Sequence, residues 1–121
     1  MRAALEAFAP TTPTPLILLG WSFSADVVLS VCEPAIAGWI VVAPPLRFGR
    51  GAESVAQDPR PKLVVLAEHD EFRDAIEVKA ETAGWVNCAT ATIPGASHFF
   101  VGRTDRLADL TLAWIDQLIT A

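Results

Sequence analysis

Apolar residues occur along this chain in short runs without polar alternation, and proline- and glycine-containing segments separate the runs. Continuous apolar runs of about 4–8 residues are typical of strands that are covered on both faces, as in a parallel sheet. Three such runs predict parallel strands at residues 16–19, 38–43 and 62–67, and residues 87–93 are predicted to form a fourth strand.

Helical patterns follow three of these strands. The pattern after the first strand is a buried helix that Pro34 ends, and the pattern after the third is amphipathic, with Phe72, Ile76 and Ala83 on its apolar face. The helix after the fourth strand has leucine and tryptophan residues at helical spacing. The three helices are predicted at residues 24–33, 71–83 and 105–119.

The rest of the chain is predicted to be less regular. Residues 2–8 form a short helix, and residues 11–15 form an extended connector, because each residue before a proline is kept out of the α region. Residues 46–61 contain glycine, proline, arginine and serine and are predicted to be a long surface loop.

The order of these elements predicts the fold class. Strands that alternate with helices form a parallel sheet with right-handed crossovers. We expect an α/β protein, a three-layer sandwich of about four parallel strands flanked by helices. A chain of 121 residues is long enough for one domain, which we place at 1–121.

Composition and charge narrow the classes of function. Hydrophobic residues make up 52% of the chain and charged residues 19%, which excludes a disordered or coiled-coil protein. The net charge of −5 is unfavourable for binding nucleic acid or an anionic membrane surface. No apolar run reaches the ~20 residues that span a bilayer, and the N-terminus is a poor signal peptide, so we expect a cytoplasmic location. Cys32 and Cys88 are expected to be free, buried thiols.

The first strand leads directly into Gly20-Trp21-Ser22-Phe23-Ser24. This pentapeptide is close to the Gly-x-Ser-x-Gly nucleophile elbow, in which a sharp strand-to-helix turn presents a serine hydroxyl above the sheet. The turn needs small residues two positions on either side of the serine, and glycine meets that need better than serine does. The pentapeptide alone leaves two interpretations of Ser22 open, a nucleophile and a helix cap.

Two further residues favour the nucleophile. Asp70 follows the third strand, and His98 follows the fourth strand in a glycine-containing loop. Functional residues of parallel sheets gather at the carboxyl ends of the strands, so we expect Ser22, Asp70 and His98 to meet at one edge. Their order along the chain, serine then aspartate then histidine, is that of the α/β-hydrolases.

Four segments carry a resemblance to this family: LILLGWSFSA, VVAPP, KLVVLAEHDEF and IPGASHFFVGR. In this order they resemble successive parts of a serine α/β-hydrolase of the small dienelactone-hydrolase-like esterase group. The resemblance implies that Ser22 is the nucleophile, Asp70 the orienting acid and His98 the general base. It also implies that the backbone N–H of Phe23 lies in the oxyanion hole.

The chain departs from the family pattern in two places. Ser24 stands where the family has a second glycine, which is expected to strain the elbow or reduce the room beside it. The family's earlier strands, and a His-Gly-rich loop that supplies a second oxyanion donor, have no match before residue 16. We therefore expect a truncated α/β-hydrolase fold that matches the C-terminal half of the family and has half an oxyanion hole.

Other residues have simpler interpretations. Side chains at 68–71 diverge in direction, so we expect no metal site there, and His69 is interpreted as structural or as part of a pocket edge. Asp74 is the reserve candidate for the acid and is more simply an exposed helix charge. The chain contains no nucleotide-binding pattern, so no cofactor is expected. Trp21 and Phe99 are candidates for lining a substrate pocket, and packing explains them equally well.

Two functions remain as hypotheses. The first is a serine hydrolase that cleaves a small ester or thioester. The second is a catalytically weak or inactive domain whose role is association, because one edge of the first strand, from Leu16 to Leu19, has no partner in the predicted sheet. An exposed apolar edge invites pairing with another chain. We therefore expect a homodimer through this edge or the apolar surface beside it.

Overall fold

A computed structural model describes residues 16–47 and 52–120. Within them strands and helices alternate: β1 (Leu16–Trp21), α1 (Phe23–Val28), β2 (Ile36–Val42), α2 (Ala52–Gln57), β3 (Lys62–Ala67), α3 (Ala75–Thr82), β4 (Cys88–Ile93) and α4 (Thr104–Thr120). The strands form one sheet in the order β1-β2-β3-β4, and each neighbouring pair is parallel. This confirms the predicted α/β class.

Apolar side chains cover both faces of the sheet. One face packs against α1, α2 and α3 through Val28, Val55 and Val78. The opposite face packs against α4 through Leu107 and Trp114. Helices on both faces produce the predicted three-layer sandwich, and they explain why every residue of β3 is buried.

Two helical regions differ from the predictions. The helix after β1 ends at Val28 rather than at residue 33, and beyond it the hydroxyl of Ser30 donates a 2.6 Å hydrogen bond to the carbonyl of Val27. The predicted surface loop over residues 46–61 is wrong in part, because it contains α2. Val55 of this six-residue helix is completely buried in the core. Such a short helix depends on tertiary packing rather than on local propensity.

The helix after β3 begins later than predicted and buries a different face. The carboxylate of Asp70 accepts hydrogen bonds from the backbone N–H groups of Phe72 (2.9 Å) and Arg73 (3.2 Å), which forms a turn before the helix. Ile76 was expected to be buried and is instead 77% exposed. The buried residues of α3 are Ala75, Val78 and Thr82.

Three further predictions concern the N-terminal segments, the cysteines and membrane-spanning helices. The helix at 2–8 and the connector at 11–15 lie outside the described residues. Cys32 and Cys88 are free and partly buried. Within the part of the chain that the structure describes, no helix has the length and apolar character needed to cross a membrane.

A polar cluster holds the loops at the end of the sheet opposite to Ser22. The Asp58 carboxylate accepts hydrogen bonds from Nε and Nη2 of Arg60, both at 2.8 Å. Nη1 of the same arginine donates to the carbonyls of Glu33 and Ile36, both at 2.7 Å. The buried Lys62 donates to the carbonyls of Asp58, Arg60 and Val86, and burial lowers its pKa.

Asp58→Asn is expected to lower the free energy of unfolding at neutral pH by about 1.5–3 kcal/mol, because Arg60 loses a charged hydrogen-bond partner. The hydrogen bonds from Arg60 hold the pKa of Asp58 well below its ordinary value of 3.8. The stabilisation is therefore present above pH 3.8 and is lost as the pH falls through the lower pKa of the folded state. Urea unfolding of both proteins at neutral pH and well below pH 3.8 measures it. A stability difference that stays equal at both pH values would contradict this assignment.

Candidate active site

The carboxyl ends of β1, β3 and β4 bring the three predicted site residues together. Ser22 immediately follows β1, Asp70 lies in the turn after β3, and His98 lies in the loop after β4. Ser22 Oγ is 2.7 Å from Nε2 of His98. Nδ1 of the same ring is 2.9 Å from Oδ2 and 3.0 Å from Oδ1 of Asp70. These distances are within the reach that a nucleophile, its base and an orienting acid require.

The hydrogen bonds determine which ring nitrogen carries the proton. An ionised carboxylate only accepts hydrogen bonds, so Nδ1 of His98 is protonated toward Asp70, and Nε2 accepts the hydroxyl proton of Ser22. The side chains of His98 and Asp70 are only 3% and 4% exposed. Shielding from water strengthens the interaction between them. The arrangement is able to take the hydroxyl proton when Ser22 attacks an electrophile.

The backbone at Ser22 is strained. Its φ of 58° and ψ of −122° lie in a region that side chains disfavour. Its N–H donates to the carbonyl of Val42 (2.9 Å), and its carbonyl accepts from the N–H of Ala25 (3.0 Å). Gly20 permits this turn, because a Cβ there would lie 2.4 Å from the carbonyl oxygen of Ser24. The glycine is therefore required at this position.

Ser24 closes the elbow through hydrogen bonds. Its exposed hydroxyl accepts the backbone N–H of Trp21 and donates to the carbonyl of the same residue, both at 2.8 Å. We expected a serine here to strain or crowd the turn. The structure instead accommodates its side chain in two hydrogen bonds that join the end of β1 to the start of α1.

Two glutamates that sequence reasoning missed connect the acid turn to the histidine loop. Oε1 of Glu71 accepts the backbone N–H of His98 at 2.9 Å, and Oε1 of Glu68 accepts that of Gly95 at 2.8 Å. The side chain of His69 is 68% exposed and pairs with Glu68 at 3.2 Å. Closeness to Asp70 in sequence was the only available signal for Glu71, and only the fold shows that it reaches the other loop.

Glu71→Ala is expected to loosen the loop that holds His98, because the His98 N–H loses its acceptor. Loss of such a hydrogen bond costs about 1 kcal/mol, or about a fivefold change in an opening equilibrium. The downfield proton NMR signal of the His98 Nδ1–H measures this as about fivefold faster exchange with water. Glu71→Gln keeps Oε1 as an acceptor and should exchange like the wild type. Equal exchange in the alanine and glutamine variants would contradict a positioning role for Glu71.

The structure distinguishes between the two candidates for the orienting acid. Asp70, and not Asp74, hydrogen bonds the ring of His98. Asp74 is exposed at the start of α3, as its simpler interpretation as a helix charge predicted.

Aromatic side chains near His98 have different roles. Trp21 donates its Nε1–H to the carbonyl of His98 (3.2 Å) and packs edge-on against the buried Phe100, with ring centroids 5.5 Å apart. Trp21 thus holds the loop, in line with its interpretation as a packing residue. Phe99 and Phe72 lie on the histidine ring itself, with centroids 4.9 Å and 4.4 Å from it.

Solved structures of other proteins share this architecture. An α/β serine hydrolase homologue from Coxiella burnetii is 31% identical with a TM-score of 0.70, over 90% of this chain and 52% of its own. An α/β serine hydrolase without a lid from Xanthomonas campestris is 26% identical with a TM-score of 0.84. The match covers 99% of this chain and 56% of that structure's chain. The esterase domain of a Rhodothermus marinus protein is similar in fold at 15% identity, with a TM-score of 0.75. This match covers 93% of this chain and 65% of that structure's chain. No family model and no curated protein matches the sequence.

The chain therefore has an α/β-hydrolase-like fold, and it spans between about half and two thirds of the length of these three structures. Two of them, at 31% and 26% identity, are serine hydrolases or their homologues. The resemblance carried by the four sequence segments is confirmed for the fold, and the two neighbours above 25% identity support a protein of the serine-hydrolase-like kind.

Proposed function

We propose that this protein is a serine hydrolase that cleaves a small carboxylic ester or thioester. The observation that carries the proposal is the continuous hydrogen-bonded chain of Ser22, His98 and Asp70 at the edge of a parallel sheet. The strained backbone of Ser22 supports it, because such strain costs about 1–3 kcal/mol and a helix cap does not require it. The similarity to serine hydrolases at 26% and 31% identity is in agreement.

In the proposed mechanism Ser22 Oγ attacks the carbonyl carbon while Nε2 of His98 takes the hydroxyl proton. Asp70 stabilises the imidazolium that forms. The bond to the alcohol breaks as His98 returns the proton to the alcohol oxygen, which leaves an acyl ester on Ser22. Water then attacks the carbonyl carbon of this ester while His98 takes a proton from the water, and His98 returns that proton to Ser22 Oγ as the bond to the acyl group breaks and the carboxylic acid leaves.

The negative charge on the carbonyl oxygen needs backbone donors. We assign one of them to the N–H of Phe23, the first residue of α1, because it directly follows the nucleophile. A single donor of the usual pair is worth ~10²–10³ in rate.

Hydrolysis of p-nitrophenyl acetate tests the proposal. The wild type should turn it over, and Ser22→Ala should reduce the rate to the background of the buffer. Ser30→Ala serves as the matched control, since its exposed hydroxyl donates to the carbonyl of Val27 in the last turn of α1, and it should retain the wild-type rate. Equal rates for the wild type and Ser22→Ala would contradict the proposal.

A second candidate function, association of two copies, is favoured by exposure at β1. Leu19 is 51% exposed, and among the described residues β1 pairs with β2 alone. We propose a homodimer through the edge from Leu16 to Leu19 or the apolar surface beside it. Size-exclusion chromatography with light scattering should give a dimer for the wild type and a monomer for Leu19→Lys. A monodisperse wild-type monomer would contradict the dimer.

A further inference from the structure

Three exposed phenylalanines stand beside the proposed active site, one on each of the segments that carry Ser22, Asp70 and His98. Their exposed fractions are 59%, 55% and 60%, whereas the neighbouring Phe100 is completely buried. The rings of Phe72 and Phe99 lie 6.0 Å apart and form an exposed apolar patch, and such a patch indicates a binding surface. The three residues are Phe23, Phe72 and Phe99.

Two of these rings enclose the ring of His98. The Phe72 centroid is 4.4 Å from it at a tilt of 51°, and the Phe99 centroid is 4.9 Å from it at 85°. The two phenylalanine rings are 6.0 Å apart in an edge-to-face arrangement. They shield His98, whose side chain is only 3% exposed, while their own outer faces remain open to solvent.

We propose that Phe72 and Phe99 bind the alcohol part of the ester, and that the protein prefers esters of apolar, ring-containing alcohols. This inference rests on the proposed function. His98 returns its proton to the alcohol oxygen, so the alcohol departs on the side of the histidine ring, where the two phenylalanines lie. A ring on the alcohol packs against them at the ~4.5–7 Å spacing of aromatic pairs. A short alkyl alcohol lacks this contact.

The test compares benzyl acetate with ethyl acetate. Both form the same acetyl ester on Ser22, so the later hydrolysis step is common, and the ratio of kcat/KM reports the step in which the alcohol is present. The two alcohols are leaving groups of similar basicity. The wild type should prefer benzyl acetate about tenfold, the scale of an apolar contact in a partly open site.

Variants identify the two rings as the source of the preference. The double variant Phe72→Ala with Phe99→Ala should bring the ratio of the two kcat/KM values close to one, because benzyl acetate then loses a contact that ethyl acetate does not make. If the double variant does not fold, the single variants Phe72→Leu and Phe99→Leu replace it, because leucine keeps more of the apolar volume. Each should lower the ratio about threefold. Val101→Ala is the matched control, a 78% exposed residue of the same loop, and should keep the wild-type ratio.

Failure of this inference is distinguishable from failure of the proposed function. A wild-type ratio near one, or an unchanged ratio in the folded variants, overturns the inference while turnover that depends on Ser22 stands. A double variant that changes the oligomeric state and keeps the ratio also overturns it, because the rings then belong to a contact between copies. Absence of turnover with both acetates and with p-nitrophenyl acetate overturns the proposed function and the inference together.

Discussion

Replacing Asp70 by asparagine is expected to lower kcat for ester hydrolysis by about 10³–10⁴ while the protein stays folded. The asparagine keeps Oδ1, which accepts the backbone N–H groups of Phe72 and Arg73, so the turn before α3 persists. The negative charge that stabilises the imidazolium of His98 is lost. The amide NH₂ also takes the place of Oδ2, 2.9 Å from Nδ1, and favours the tautomer that is unable to accept the Ser22 proton.

Asp74→Asn is the matched control for this substitution. It makes the same chemical change four residues away, on an exposed side chain at the start of α3. It should leave kcat within about twofold of the wild type. Steady-state kinetics together with thermal unfolding by circular dichroism separate catalysis from stability. A loss of less than about tenfold in Asp70→Asn would contradict the proposed role of Asp70.

Gly20→Ala is expected to destabilise the protein by about 3 kcal/mol and to remove turnover. The added Cβ would lie 2.4 Å from the carbonyl oxygen of Ser24 and 2.7 Å from Cα of Ala25, and both are backbone atoms that move only with the helix. Relief of this overlap displaces α1 from β1. The displacement carries Ser22 Oγ away from Nε2 of His98, so a loss of activity accompanies the loss of stability.

The control for this prediction is Gly84→Ala. A Cβ at Gly84 meets no atom within 4 Å, so the same chemical change should leave stability within about 0.5 kcal/mol. Urea unfolding and p-nitrophenyl acetate hydrolysis of both variants provide the comparison. A Gly20→Ala protein as stable and as active as Gly84→Ala would show that the elbow does not need glycine.

The strands and α4 were predictable because their burial in the core requires a recognisable pattern of apolar residues along the sequence. Continuous apolar runs require cover on both faces, and the sheet packs between α4 and the other helices. Leu107 and Trp114 show helical spacing because one face of α4 meets the sheet. This two-sided core accounts for much of the 52% hydrophobic content, and some apolar side chains stay exposed, such as Leu19 of β1.

The short helices were less predictable because tertiary contacts decide them. α2 lies in a segment rich in loop-forming residues and depends on the burial of Val55. The start of α3 depends on the Asp70 carboxylate, which captures the N–H groups of Phe72 and Arg73. This turn shifts the buried face of the helix, so a periodicity that counts from Phe72 selects the wrong residues.

The candidate site was predictable where local sequence and topology coincide. The elbow around Ser22 has a local pattern, and parallel strands bring the segments after β1, β3 and β4 to one edge. Glu71 and Phe72 were missed because their contacts with His98 depend on the distance between two loops, which no local pattern encodes.

The proposed function depends on the activation of Ser22 as a nucleophile by His98. Reaction with a fluorophosphonate probe, followed by peptide mapping in a mass spectrometer, tests it most directly, since the probe reacts with activated serines irrespective of the natural substrate. We expect a single adduct on Ser22, no adduct in Ser22→Ala and strongly slowed labelling in His98→Ala. A folded wild-type protein that stays unlabelled, or that carries its adduct on another residue, would contradict the account.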